Sequence, residues 1–138
     1  MTSSIPARLR RLVIERAGEH CEYCLLHQSD AALFDHEVDH IIAEKHTGQT
    51  VDDNLAFACF DCNRYKGSDI ASIDPDTGKV TLLFNPRQQV WTDHFALEGP
   101  LIIPLTPEGR ITVQLLRLNA EQRVRRREGL IELGRSRS

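Results

Sequence analysis

The chain has 138 residues, 41% hydrophobic and 27% charged, the size and composition of one globular domain with a single core. No apolar run approaches the ~20 residues that span a bilayer, and Met1-Thr-Ser-Ser-Ile5-Pro6 leads into arginines without the apolar stretch and cleavage site of a secretory signal. A membrane span is therefore excluded and a cytoplasmic location is expected. The net charge of −3 disfavours nucleic acid at first sight, but it averages a strong asymmetry. Residues 1–20 carry four Arg against two Glu, residues 21–109 five Lys/Arg against fifteen Asp/Glu, and residues 110–138 eight Arg against three Glu. An acidic centre between basic ends suits cations in the middle and polyanions at the edges.

In chain order, Ser4 as cap, Pro6 in the first turn, apolar residues at helical spacing and Gly18 as stop predict a helix over 5–17. Phe34, Val38 and Ile42 predict a strand over 34–42, residues 44–53 a polar loop, and Leu55-Ala-Phe-Ala-Cys59 its partner strand, so that a hairpin with a long loop results. Asp61 or a neighbour caps a helix through Asn63, Arg64, Tyr65 and Lys66 that ends near Gly67. The second half reads as packing elements: a turn over 74–78, a strand over 79–84, a short helix over 86–94 and a strand over 101–105. Thr106-Pro-Glu caps a segment reaching Leu118, and Asn119 with Gln122 forms a capping box for an Arg-rich helix to about Leu133. Gly134–Ser138 is expected to fray.

Four cysteines without an export signal argue against disulfides. Cys21-x-x-Cys24 and Cys59-x-x-Cys62 are two knuckles with 34 residues between them, the usual way to surround a tetrahedral zinc with four thiolates. Such a site leaves no open coordination position, so the metal is structural and fastens the opening and closing of one hairpin-helix unit. The rival readings are four buried thiols or a redox pair, and a four-cysteine redox sensor predicts activity that changes on oxidation.

Inside that bracket lie Asp39-His40, Asn54 and Asn63. Together, Cys21-Glu-Tyr-Cys24, Val38-Asp-His-Ile-Ile42, Asp53-Asn-Leu-Ala-Phe-Ala-Cys59 and Cys62-Asn-Arg-Tyr-Lys-Gly67 resemble the HNH endonuclease family in order, spacing and residue type. More weakly, Leu83-Phe-Asn-Pro-Arg87, Trp91-Thr-Asp-His-Phe95 and Gly109-Arg-Ile-Thr-Val113 are similar to the C-terminal half of its small bacterial members. The resemblance implies an α+β fold: a ββα-metal, treble-clef-like core over residues 19–70 with a four-cysteine zinc site, an N-terminal helix, and a strand and helix packing extension over 71–133. All of it is expected to form one nuclease domain, 1–138.

The resemblance further implies hydrolysis of DNA phosphodiester bonds with Mg2+ or Mn2+. Asp39 and Asn63 match the cation-ligand positions and are hard oxygen donors. His40 matches the general base. Asn54 matches the residue that holds the loop and orients that imidazole. Arg64 and Lys66 are the candidate phosphate contacts. Asn63 stands where many members carry histidine, and Ala43-Glu44 and Thr47-Gly48 replace the family's proline and paired glycines. Adjacent strand residues face opposite ways, so Asp39 and His40 can address one phosphate only where pairing ends or bulges, and an irregularity near Asp39 is expected. Four thiolates, one zinc and one Mg2+ leave the net charge at −3, so DNA binding must rely on local arginine clusters and be salt-sensitive. The Arg-rich run 123–127 is either a solvated helix face or such a cluster. His20, His27, His36, His46 and His94 read as exposed or packing residues. DNA is the expected partner, with a homodimer the simplest way to cut both strands; the alternative is a non-catalytic zinc-stabilised module that binds nucleic acid or protein.

Overall fold

Residues 4–135 are described in the computed structural model, a mixed helix and sheet chain in which 4–70 with 85–89 and 71–84 with 90–135 form two units. Among the described residues no helix is long and apolar enough to cross a membrane.

The first unit opens with α1 (Ala7–Arg16), close to the expected helix. Ser4 does not cap it. Pro6 takes the N-cap position without a side-chain hydrogen bond; its fixed φ suits a helix start, where its missing N–H costs nothing. Gly18, at φ 60°, follows the helix end as expected. Val13 of α1 joins Ile5, Val38, Leu55 and Phe57 in a small apolar cluster, with Leu9, Ile14 and Ala17 against it. That cluster seats α1 on an antiparallel hairpin of β1 (Glu37–His40) and β2 (Leu55–Ala58), paired from Glu37 with Ala58 to His40 with Leu55. Arg16 fastens the same helix by donating to the carbonyls of Asp52 and Leu55, both at 3.0 Å.

β1 starts three residues later than the sequence suggests. The His36 backbone N–H donates to Gln28 Oε1 at 2.8 Å, and Phe34 stacks on Phe60 at 4.1 Å between centroids, so loop contacts take this segment before strand pairing does. After β2 comes α2 (Phe60–Lys66), which ends at Gly67. Its cap is Cys59, not Asp61: Cys59 Sγ accepts from the Cys62 N–H at 3.4 Å. Residues 85–89 belong to this unit, where Arg87 pairs with Glu22. Burial and the charge of Arg16 push the Arg87 guanidinium down to about 10.

The second unit contains two antiparallel hairpins: β3 (Ala71–Ile73) with β4 (Val80–Leu82), and β5 (Phe95–Glu98) with β6 (Leu101–Pro104). β3 and β5 had no sequence expectation. The expected helix over 86–94 shrinks to α3 (Trp91–His94), because residues 85–89 form a turn in which Gln88 and Gln89 donate to the Asn85 carbonyl. α4 (Pro107–Leu115) is capped by Thr106 Oγ1 on the Gly109 N–H at 3.0 Å. Gly109 is required there: a Cβ would lie 2.4 Å from the His94 carbonyl oxygen. From α4, Arg110 grips the buried Asp74 carboxylate with Nε and Nη2, both at 2.8 Å. Those hydrogen bonds hold the Asp74 carboxyl well below the usual range.

The capping box before α5 (Glu121–Glu132) does not form. Asn119 is engaged elsewhere, bonding both the N–H and the carbonyl of Ile102 at 2.9 and 2.8 Å. Nor is the Arg-rich run simply a solvated face. Arg123 and Arg127 are buried; Arg123 donates to the Leu116 carbonyl at 2.7 Å, and Arg127 to the carbonyls of Pro100 and Leu118. Only part of the expected fraying segment, 134–135, can be compared; residues 136–138 lie outside the described residues.

Candidate functional site

The first cysteine pair falls in a turn and the second at the start of α2, and all four side chains are buried. In each pair the N–H of the second cysteine points at the sulfur of the first, Cys24 to Cys21 at 3.5 Å and Cys62 to Cys59 at 3.4 Å. The four sulfurs lie within 4.8 Å of one another, with Cys24 and Cys59 3.6 Å apart and no disulfide among them. A tetrahedral zinc with Zn–S bonds of about 2.3 Å separates its sulfurs by about 3.8 Å. The cluster fits such an ion. Burial pushes the Cys21 and Cys62 thiols up, so four thiolates can crowd together here only with a cation to offset their charge.

Glu22, inside the first knuckle, ties this corner to β2: its Oε2 accepts from the Phe57 N–H at 2.8 Å, and its own N–H donates to the Phe57 carbonyl at 2.8 Å. Tyr23 is buried beside the cluster, and burial pushes its phenol up.

At the other end of the hairpin, strand alternation sorts the residues of β1 by face. Val38 and His40 are buried, whereas Glu37 is exposed and Asp39 partly so. The register is regular through His40 and the strand ends there, one residue after Asp39, so pairing stops close to Asp39. The two side chains nevertheless approach: His40 Nδ1 lies 3.7 Å from Asp39 Oδ1. The imidazole is 3% exposed. Its Nε2 meets Thr50 Oγ1 at 2.9 Å, while buried Nδ1 has no hydrogen-bond partner among the described residues.

The loop between the strands is fastened by Asn54. Its Oδ1 accepts from the Ile42 N–H, and its Nδ2 donates to the carbonyls of Ile42 and Gln49, all at 2.9 Å. The loop backbone thus folds over the end of β1, with Thr47 at φ 68° and Gly48 against Ile42. A Cβ on Gly48 would sit 1.7 Å from the Ile42 carbonyl oxygen. Asn54 hydrogen-bonds the loop backbone, and the hydrogen bond to the imidazole comes from Thr50, four residues earlier.

On α2, Asn63 Nδ2 donates to Glu37 Oε2 at 2.8 Å. Arg64 is exposed, with its guanidinium 5.9 Å from the Tyr65 ring centroid. Lys66 is not on that surface. It is buried, and its ammonium donates to the carbonyls of Ile41 at 2.8 Å and His40 at 3.4 Å. Burial pulls the ammonium below the usual lysine value, against the charges of Asp39 and Asp69. In this structure Lys66 secures the end of β1.

Three participants escaped the sequence reading. Thr50 offered no signal, being one polar residue in a polar loop. Gly48 stood out only as a departure from the family's glycine pair. Glu37 was legible in principle, since a residue two before Asp39 shares its strand face.

Residues 21–69 match the family model described as HNH endonuclease. Comparison with curated proteins and with solved structures gave no match. The matched stretch holds both cysteine pairs, β1, the Asn54-fastened loop, β2 and α2, and over these residues the chain is similar to the HNH endonuclease family.

Proposed function

We propose that the first unit is a divalent-cation-dependent endonuclease that hydrolyses DNA phosphodiester bonds, with β1, β2 and α2 as a ββα-metal core, residues 71–133 as an extension of that nuclease domain, and zinc on the four cysteines. The observation that carries this reading is the pairing of an imidazole with a carboxylate, His40 Nδ1 3.7 Å from Asp39 Oδ1, within the stretch that matches the family.

In this reading Thr50 Oγ1 accepts from Nε2–H, which selects the tautomer whose basic lone pair is on Nδ1, the nitrogen beside Asp39. His40 then takes the proton of the attacking water at Nδ1. Nδ1 is buried, so this role requires the edge of the site to open for that water. Asn54 keeps the loop, and with it Thr50, over the ring. Asp39 and Asn63 would hold the cation through oxygen, and the cation would supply positive charge to stabilise the scissile phosphate and the departing oxygen. Exposed Arg64 contacts a phosphate. Buried Lys66 holds β1 in place instead.

Plasmid cleavage with Mg2+ or Mn2+ tests the reading. His40→Ala is expected to lose about 10²–10⁴-fold in rate with zinc content unchanged. Equal rates for both proteins would remove His40 as the base. DNA binding without cleavage by the unaltered protein would leave the non-catalytic zinc module.

A further inference from the structure

We infer that Glu37 is a positioning residue for the candidate cation site: its carboxylate fixes which end of the Asn63 carboxamide faces the cation. The inference rests on the cation reading given under Proposed function. Glu37 and Asp39 share the exposed face of β1, and α2 brings Asn63 to Glu37, with Nδ2 donating to Oε2 at 2.8 Å.

A carboxamide has a donating end and an accepting end, and only the oxygen can ligate a hard cation. An ionised carboxylate only accepts hydrogen bonds, so the partner of Glu37 must be the NH2 group of Asn63; the amide orientation follows from chemistry. With Nδ2 engaged, Oδ1 accepts no hydrogen bond among the described residues. Without Glu37 the amide can rotate and present its NH2 group toward the cation, which repels it. The role matters here because this chain carries asparagine where a histidine ligand has no such ambiguity of oxygen and nitrogen.

Mn2+ binding to the zinc-containing full chain, followed by the loss of the free-ion electron paramagnetic resonance signal, reads this without any cleavage. Glu37→Ala is expected to weaken Mn2+ by about 10–100-fold, the range for groups that orient metal ligands. Glu37→Gln, whose amide oxygen can still accept from Asn63, is expected to regain most of the affinity. Glu37→Ala added to Asn63→Ala is expected to change nothing further, since Glu37 acts through Asn63. Unchanged affinity in Glu37→Ala, or an equal loss in the Asn63→Ala background, overturns the positioning role and leaves at most a general charge effect. Failure of the cation reading looks different: the unaltered chain then shows no Mn2+ site that Asp39→Ala removes, and the role of Glu37 falls with it.

Discussion

The two units order chains of similar length by different means. In residues 4–70 with 85–89, apolar residues such as Val13, Leu26, Val38, Ile41, Leu55 and Phe57 share the interior with buried polar and sulfur groups: four cysteines, His36, His40 and Lys66. In residues 71–84 with 90–135, the interior holds Phe84, Phe95, Ile102, Ile111, Leu116 and Leu118, and its buried charges Asp74, Arg123 and Arg127 each have hydrogen-bonded partners. A metal on four buried thiolates would add folding free energy to the first unit, a source the second unit, with no cysteine, does not have. The hairpin end away from the cysteines carries Asp39 and His40, the pair on which the proposed chemistry rests.

Metal removal is expected to break the contrast most sharply. Structural zinc sites carry about 10–16 kcal/mol of apparent binding free energy, so chelation or Cys62→Ser should abolish amide protection across 21–66 while 95–130 stays protected. Hydrogen exchange read by mass spectrometry decides it, and equal loss in both stretches would refute the contrast. The counterpart is Phe84→Ala, at a site 2% exposed whose ring meets Phe95 edge-to-face at 5.3 Å. It should cost about 3–5 kcal/mol in chemical denaturation and leave the zinc content intact.

What the sequence made legible divides along the same line. Cysteine spacing located the sulfur cluster because tetrahedral coordination demands four ligands in two short-range pairs, and local spacing survives folding. Val38 was legible through alternation, and Leu55 and Phe57 through a short apolar run after a polar loop. β3 and β5 were not: each is three or four residues long and pairs with a partner across a turn, so tertiary pairing outweighs local preference. Asn119 shows the limit of capping rules, since its side chain prefers both backbone groups of Ile102 to the helix behind it. Lys66 shows the limit of charge reading. A lysine on the last turn of a short helix looks exposed in sequence, yet its ammonium closes on two carbonyls at the end of β1.

Gly48→Ala sharpens the comparison at the level of one loop. The added Cβ meets the Ile42 carbonyl at 1.7 Å, and backbone cannot step aside as a flexible side chain can. A cost of about 1–3 kcal/mol is expected, together with loss of the Asn54 hydrogen bonds and of cleavage. Denaturation and plasmid assays on the same preparation check both.

The smallest effects come from α5, where two arginines two residues apart separate buried from exposed charge. Arg127 donates to the carbonyls of Pro100 and Leu118 and to Asn119 Oδ1; Arg127→Ala orphans those acceptors and should cost about 1–3 kcal/mol. Arg125 pairs with Glu121 across one helical turn with both side chains about three-quarters exposed, a geometry worth about 0.3–0.5 kcal/mol. Arg125→Ala should accordingly shift the denaturation midpoint barely, and less still in high salt, which screens an exposed pair but not a buried one. If Arg125→Ala also lowers DNA affinity, α5 contributes a phosphate contact through its exposed face; Arg127→Ala cannot report on that, because its guanidinium is already committed to the fold.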